Sequence, residues 1–190
     1  MNNGLDDDIH NKIDLAQVAL DRTLGLISGC DNKTSIILAI VGVISTILFT
    51  EKGLGDLHNI LVKLDICGSV GAVMYLCLFV ALVGIICIGL FHLILVLCAK
   101  VEISDIQREG VVEDSKFFFG SISSNKDFYQ YKEKFSEMTK EQVLEDLLSQ
   151  NYINSIIASE KYKNYNFGLK WTTGGIFGLI ILLIIGMHVF

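Results

Sequence analysis

The stretch ICGSVGAVMYLCLFVALVGIICIGLFHLILVLCA, residues 66–99, decides the fold of this chain. It contains no Asp, Glu, Lys or Arg. A helix needs about 20 apolar residues to cross the roughly 30 Å hydrocarbon core of a bilayer. This stretch would extend about 50 Å as a helix, so it predicts a transmembrane helix that tilts or leaves the membrane. The mixed polarity of Val101–Gln107 favours the second form, a stiff rod that continues into water.

Two further apolar runs flank this stretch, at residues 35–50 and 170–190. The chain contains no proline, and because proline interrupts helices, its absence fits long uninterrupted ones. We therefore predict an all-α membrane protein with three transmembrane helices and a small cytoplasmic helical bundle. The predicted order is a cytoplasmic N-terminal amphipathic helix (1–34), transmembrane helix 1 (35–50), an external loop (51–65), long transmembrane helix 2 (66–99), a cytoplasmic helical segment (100–169) and transmembrane helix 3 (170–190).

The distribution of basic residues predicts the orientation in the membrane. Lys and Arg are frequent before residue 34 and between residues 100 and 170, whereas residues 51–65 contain only Lys52 and Lys63. Cytoplasmic flanks of transmembrane helices carry an excess of Lys and Arg. The N-terminal arm and the segment 100–169 are therefore predicted to be cytoplasmic.

Local patterns give finer expectations for the first third of the chain. Residues 1–8 are polar and acidic, which predicts disorder. Apolar residues at helical spacing from Ile9 predict an amphipathic helix. The Asp31-Asn32 dipeptide is placed to cap the first transmembrane helix, and residues 51–65 hold two glycines that predict a turn region.

The cytoplasmic segment contains three patterns of interest. Three consecutive aromatic residues at 117–119 cannot all face one core in a helix, so they predict either an extended stretch or a buried connector. The sequence Thr139-Lys140-Glu141-Gln142 matches a capping box that opens a helix, and we expect that helix to continue into the last transmembrane segment. There the spacing Gly174-x-x-x-Gly178 is typical of closely packed helices.

The sequence contains no recognisable catalytic motif. It has no phosphate-binding loop, no G-x-S-x-G, no H-E-x-x-H and no C-x-x-C. Its four histidines are too far apart to share a helix turn, and its five cysteines fit a role as small packing residues. We therefore predict no enzymatic activity, no metal site and no cofactor. His92, inside the apolar run, is either a pore-lining or proton-sensing group or a hydrogen-bonded structural histidine.

A set of polar and aromatic residues could instead form a ligand pocket. Its lysines could neutralise a phosphate, its side-chain amides could bind the edge of a base, and its aromatic rings could stack on that base. A plain structural network of hydrogen bonds is the alternative. The set consists of Asp31, Lys33, Phe118, Phe119, Gln150, Asn151, Asn154 and Lys161.

Three stretches carry a resemblance to a known family. They are CDNKTSIILAIVG (30–42), SKFFFGSIS (115–123) and LLSQNYINSIIASEKYKNYNFGLKW (147–171). In their order and membrane context they resemble the membrane effectors of the Pycsar bacterial anti-phage system. The chain departs from that pattern at Thr34, where Ala is common, and at Ser121, where an acidic residue is common.

The resemblance implies a function. It implies that a pyrimidine cyclase makes cyclic CMP or cyclic UMP during infection, and that the effector binds this messenger in its cytoplasmic part. The effector then disrupts the bacterial inner membrane and causes abortive infection. By position, the resemblance implies ligand-binding roles for Asp31, Lys33, Phe119, Gly120 and Lys161, with Gln150 and Asn154 as second choices.

Two other functions remain open at this point: a membrane scaffold whose bundle binds a protein partner, and a ligand-independent pore-forming subunit. Replacing Asp31, Lys33 and Lys161 with alanine would leave a scaffold functional. A soluble bundle of about 70 residues is marginal alone, so we expect a homo-oligomer. The expected partners are the cyclic nucleotide and membrane lipid, and nothing indicates nucleic-acid binding.

Overall fold

The computed structural model describes residues 2–67, 70–98, 110–112 and 114–189. Within these ranges every regular element is a helix and no strand occurs. Three helices, the first, third and last, are long and apolar enough to cross a membrane, which confirms the predicted all-α membrane fold. The helices are α1 (Asn2–Leu48), α2 (Glu51–Cys67), α3 (Val70–Leu97), α4 (Phe119–Ser123), α5 (Phe128–Ser136) and α6 (Lys140–Val189).

The chain divides into two compact units. The membrane unit comprises Cys30–Ala99 and Lys161–Phe190, and the insert unit comprises Met1–Gly29 and Lys100–Glu160. Helices α1 and α6 each contribute residues to both units. Each of these helices extends at least about 70 Å, more than twice the hydrocarbon thickness of a bilayer. The boundaries expected at residues 34–35 and 169–170 fall inside these continuous helices and stay predictions.

Small residues bring α3 and α6 close together in the membrane unit. A Cβ added to Gly89 of α3 would lie 2.6 Å from Thr172 N and 3.1 Å from Gly168 O of α6. A Cβ added to Gly168 would lie 2.8 Å from Leu93 Cγ. Close contacts between small residues favour helix association in lipid, so these positions fix where the two helices approach.

The closely packed glycines of α6 are not the expected pair. A Cβ at Gly174 would meet nothing within 4 Å, whereas Gly175 abuts Ile86 and Gly178 abuts Leu82. The expected close packing is therefore confirmed at Gly178, which faces α3, and is not formed by Gly174 among the described residues.

The turn region expected at residues 51–65 is also wrong, because α2 occupies it. Thr50 Oγ1 accepts a hydrogen bond from Gly53 N at 3.2 Å at the start of this helix. Ile60 is buried in a cluster with Tyr75 of α3. The burial of Ile60 works against the cost of two helical glycines, about 0.5–1 kcal/mol each. The side of the membrane on which α2 lies stays a prediction.

Helix α1 is continuous where the sequence predicted a boundary. The Asp31-Asn32 dipeptide lies within the helix and caps nothing, because the neighbouring residues keep their helical hydrogen bonds. Residues 2–8 are helical as well, so the predicted disorder there is wrong. An ion pair between Lys12 Nζ and Asp8 Oδ2 at 2.5 Å supports this first part.

Two expectations for the second half of the chain have different outcomes. Helix α3 ends at Leu97, and its expected continuation through Val101–Gln107 lies outside the described residues. The capping box at the start of α6 is confirmed, since Thr139 N donates to Gln142 Oε1 at 2.9 Å and Gln142 N donates to Thr139 Oγ1 at 3.3 Å. The expected continuity of α6 is confirmed too.

Candidate ligand-binding site

An ion pair joins α1 and α6 in the membrane unit. Lys161 Nζ lies 2.6 Å from Asp31 Oδ1 and donates a second hydrogen bond to the Val96 carbonyl of α3 at 2.8 Å. The side chains of Lys161 and Asp31 are 13% and 34% exposed. One ammonium therefore ties three helices together at a half-buried position.

The surroundings of this pair are closely packed. Cys30 and Thr34, which flank Asp31 on α1, are fully buried, as are Val96 and Leu93 on α3. Thr34 Oγ1 donates to the Cys30 carbonyl at 2.9 Å, so its hydroxyl is satisfied within α1. A half-buried charge that loses its partner is strongly destabilising, which makes this pair a structural tie.

Lys33 is the one member of the predicted set in this unit that stands apart. It is exposed on α1, and within the described residues it forms no ion pair and no hydrogen bond through its side chain. Its ammonium is therefore available to an anion, but the structure does not bring it into the contact between Asp31 and Lys161.

The predicted aromatic residues lie in the insert unit, at the start of α4. Ser115, which is buried, accepts hydrogen bonds from Phe117 N at 3.1 Å and Phe118 N at 3.0 Å. A Cβ added to Gly120 would lie 2.6 Å from Phe118 Cε1, so Gly120 gives room to that ring. Phe119 is 66% exposed and can stack on a ligand.

The predicted amides lie on α6 in the same unit. Gln150 is buried, and Asn154 Nδ2 donates to the Gln150 carbonyl at 2.8 Å. Asn151 Oδ1 accepts a hydrogen bond from Thr23 Oγ1 of α1 at 2.7 Å. Asn151 therefore joins α6 to α1 in the insert unit, whereas Asn154 uses one of its donors within its own helix.

A cleft of about 410 Å³ lies elsewhere in the insert unit, between the chain before α4, α5 and the first turns of α6. We call it the α5–α6 cleft. Its lining includes Asp114, Lys116, Lys134, Gln142, Glu145 and Asp146.

Comparison with known proteins identifies the family. A family model for the Pycsar effector protein domain matches residues 15–188. The chain belongs to the Pycsar effector family.

Two curated Pycsar effectors are similar to this chain. The Pycsar effector protein GmPycTM of Gulbenkiania mobilis is 28% identical over 179 residues, which cover 90% of each chain. The Pycsar effector protein EcPycTM of Escherichia coli is 28% identical over 177 residues, which cover 91% of this chain and 89% of the relative. No solved structure shows a significant match.

In this Pycsar effector, sequence reasoning missed Asp146. The residue lies on α6 three residues after Val143 and four before Gln150, so it shares the buried stripe of the helix. A carboxylate on an apolar stripe is the signal that could have found it, because a buried charge needs a partner.

The structure shows His92 in a hydrogen bond, and a pore-lining or proton-sensing role stays a prediction. Its Nδ1 lies 2.9 Å from Asn164 Oδ1, and its ring centroid lies 4.4 Å from that of Phe167. All three residues belong to the membrane unit. His92 is thus a hydrogen-bonded histidine between α3 and α6, as the second interpretation expected.

Proposed function

We propose that this Pycsar effector binds cyclic CMP or cyclic UMP in its cytoplasmic part and then disrupts the bacterial inner membrane. The infected cell would die or stop growing before phage matures. Membership of an effector family supports the defence role, and three helices able to cross a membrane support a membrane target. The bias of Lys and Arg supports a cytoplasmic location for the N-terminus and for residues 100–169. The chain would act through conformation, without catalysis.

The observation that carries this proposal is the contact of Lys161 with Asp31 and the Val96 carbonyl. Because one ammonium holds three helices, a change at this point alters how all three pack. A messenger shifts such an equilibrium only if it binds one arrangement more tightly than the other. A change from 1:99 to 99:1 needs a preference of about 5.5 kcal/mol.

The seven residues implied by the resemblance divide between two roles in this proposal. Asp31, Lys33 and Lys161 belong to the membrane unit, and Lys161 already uses its ammonium within that unit. We assign these three to the response. The other four belong to the insert unit, and we assign them to the unit that binds the messenger, outside the lining of the α5–α6 cleft: Phe119, Gly120, Gln150 and Asn154.

The proposal is tested with the full-length protein in detergent and in dye-loaded vesicles. Cyclic CMP, cyclic UMP and cyclic AMP are added in turn, and apparent stability and dye release are measured. A ligand at a hundredfold excess over its dissociation constant stabilises the folded state by about 2.7 kcal/mol. We expect stabilisation and dye release with a pyrimidine nucleotide and neither with cyclic AMP.

Lys161→Ala separates binding from response, and Lys163→Ala, an exposed lysine on the same helix, is its matched control. We expect Lys161→Ala to bind the nucleotide without nucleotide-dependent dye release, and Lys163→Ala to behave as wild type. Loss of binding in Lys161→Ala would instead place this residue in the pocket. Wild-type protein that neither binds a pyrimidine nucleotide nor releases dye would contradict the proposal.

One observation favours the alternative, a scaffold or ligand-independent pore with a protein partner. Phe128 and Tyr129, adjacent on α5, are 67% and 79% exposed. Exposed aromatic side chains are typical of interaction surfaces. Dye release without any nucleotide would support this alternative.

A further inference from the structure

The α5–α6 cleft contains a buried carboxylate that is only half satisfied. Asp146 is 1% exposed, and its Oδ2 accepts a hydrogen bond from Lys116 N at 2.7 Å. Its Oδ1 has no hydrogen-bond partner among the described residues. This oxygen is closed to solvent in the empty cleft. Leaving it unpaired is costly, so a ligand that opens the cleft as far as Asp146 and brings a hydrogen-bond donor would gain binding energy.

The cleft also contains two ammonium groups. Lys116 Nζ and Lys134 Nζ both pair with Asp114 Oδ2, the second at 3.2 Å, and Lys116 Nζ also donates to the Asp114 carbonyl at 2.6 Å. The Asp114 side chain is 55% exposed, so it can turn to water when an anion takes its place. A cyclic phosphodiester is an anion of this kind.

The other carboxylates of the cleft do not exclude an anion. Glu137 and Glu145 line the cleft but are exposed, and exposed charges are screened by water and salt. Asp146, by contrast, is shielded from solvent, so water does not weaken its electrostatic interaction with a ligand group next to it. A volume of about 410 Å³ is within the range of small-molecule sites.

We propose that Asp146 selects the base of the messenger, by accepting a hydrogen bond from the exocyclic amine of cytosine. This inference rests on the proposed function, since it assumes a cyclic pyrimidine ligand. The amine at C4 of cytosine can donate a hydrogen bond to a carboxylate. Uracil, like thymine, has a carbonyl oxygen at C4 and cannot donate there. The Asp146 carboxylate and the uracil carbonyl oxygen would repel each other, because both are hydrogen-bond acceptors. The effector should therefore bind cyclic CMP in preference to cyclic UMP, with Lys116 and Lys134 facing the phosphate.

The test is isothermal titration of the detergent-purified full-length protein with cyclic CMP and with cyclic UMP. We expect wild type to bind cyclic CMP at least about tenfold more tightly, as one hydrogen bond to a charged group allows. Asp146→Asn keeps an oxygen for Lys116 N and can present its amide donor to the cleft. This variant should lose the preference or reverse it towards cyclic UMP.

Two further variants serve as controls. Glu145→Gln removes the same charge one residue away, from an exposed side chain, and should keep the preference for cytosine. Asp114→Asn frees the two lysines and should tighten the binding of both nucleotides while their ratio stays the same. The wild-type ratio and the Asp114→Asn titration still test the inference if Asp146→Asn fails to fold.

The outcomes separate this inference from the proposed function. Equal or tighter binding of cyclic UMP by wild type would overturn the role of Asp146 and leave pyrimidine sensing intact. An unchanged ratio in folded Asp146→Asn would do the same. Failure of wild type to bind either nucleotide would overturn the proposed function, and this inference with it.

Discussion

Two aspartates on the long helices of this protein contrast with each other. On α1, Asp31 Oδ1 accepts a hydrogen bond from the ammonium of Lys161, and residues around this pair are fully buried. Asp146 on α6 is more deeply buried, yet it has only a backbone N–H as partner for one oxygen and none for the other among the described residues. Asp146 is therefore the more deeply buried of the two carboxylates, yet its partner is a neutral backbone group, whereas Asp31 has a cation.

This difference suggests different uses. A half-buried carboxylate with a matched cation holds structure together, because its charge is already compensated within the protein. A buried carboxylate with a free oxygen destabilises the empty state and gains when a ligand supplies a donor. Mutations test the contrast between the tie at Asp31 and the proposed recognition group at Asp146.

The largest effect is expected from Gly89→Val, which forces α3 away from α6. The added side chain would meet Thr172 N at 2.6 Å or less, and overpacking of this kind costs about 1–3 kcal/mol or more. Gly89 lies two helical turns before Val96, so the displacement would also take the Val96 carbonyl away from Lys161. Unfolding in a denaturing detergent would measure the loss.

Gly174→Val is the matched control for Gly89→Val. A Cβ at Gly174 meets nothing within 4 Å, so this variant should unfold like wild type. If both variants lost stability equally, the helix contact at Gly89 could not be the cause.

The next effect is the loss of the tie itself. We expect Lys161→Ala to lower the free energy of unfolding by about 2 kcal/mol, less than for a fully buried pair because Asp31 is 34% exposed. The double variant with Asp31→Asn should recover part of this loss, since no unpaired charge remains. A coupling energy near zero in the double-mutant cycle would show that the two residues act independently.

A smaller effect is expected at Asp146. Because Oδ1 has no partner to lose, Asp146→Asn should change the free energy of unfolding by less than about 1 kcal/mol without ligand. Asp146→Ala also removes the acceptor of Lys116 N and should cost about 1–2 kcal/mol. Chemical unfolding of wild type and both variants measures these changes in the free energy of unfolding. If Asn were as harmful as Ala, the carboxylate would be structural and the contrast with Asp31 would fail.

The sequence predicted the helices far better than their ends. Apolar length and the absence of proline were enough for the three spanning helices. The capping box predicted the start of α6, because Thr139 and Gln142 are both local to that turn. The turn expected at residues 51–65 failed because glycine is only a weak helix breaker, and the burial of Ile60 against Tyr75 is a contact between residues distant in sequence.

The candidate site was predicted only in part, for the same reason. Lys161 and Asp31 were both named in advance, but their mutual contact depends on how α1 and α6 pack. The helical spacing of Asp146 could have marked it as a buried charge, but the lack of a partner for its Oδ1 among the described residues depends on tertiary packing and could not be predicted. The pairing of Lys116 and Lys134 with Asp114 likewise joins residues from separate elements.

The smallest effect concerns Asp114, the carboxylate that the cleft lysines share. The hydrogen bond from Lys116 lowers the pKa of Asp114 from its ordinary value, opposed by some desolvation and reinforced by Lys134. A lowered pKa in the folded state means that this pairing stabilises the protein above about pH 4, the unfolded value, and is lost as the pH falls through the folded pKa. The contribution should stay below about 1 kcal/mol, because the side chain is 55% exposed.

The stability difference between wild type and Asp114→Asn isolates this carboxylate from all others. It should be constant between pH 5 and 7 and should shrink towards zero as the pH falls below about 4. A difference that did not change with pH would mean that Asp114 stabilises the unit through its shape or its hydrogen bonds. In that case the lysines would not be held by charge, and an anionic ligand could not displace Asp114 from them in the way that base selection by Asp146 requires.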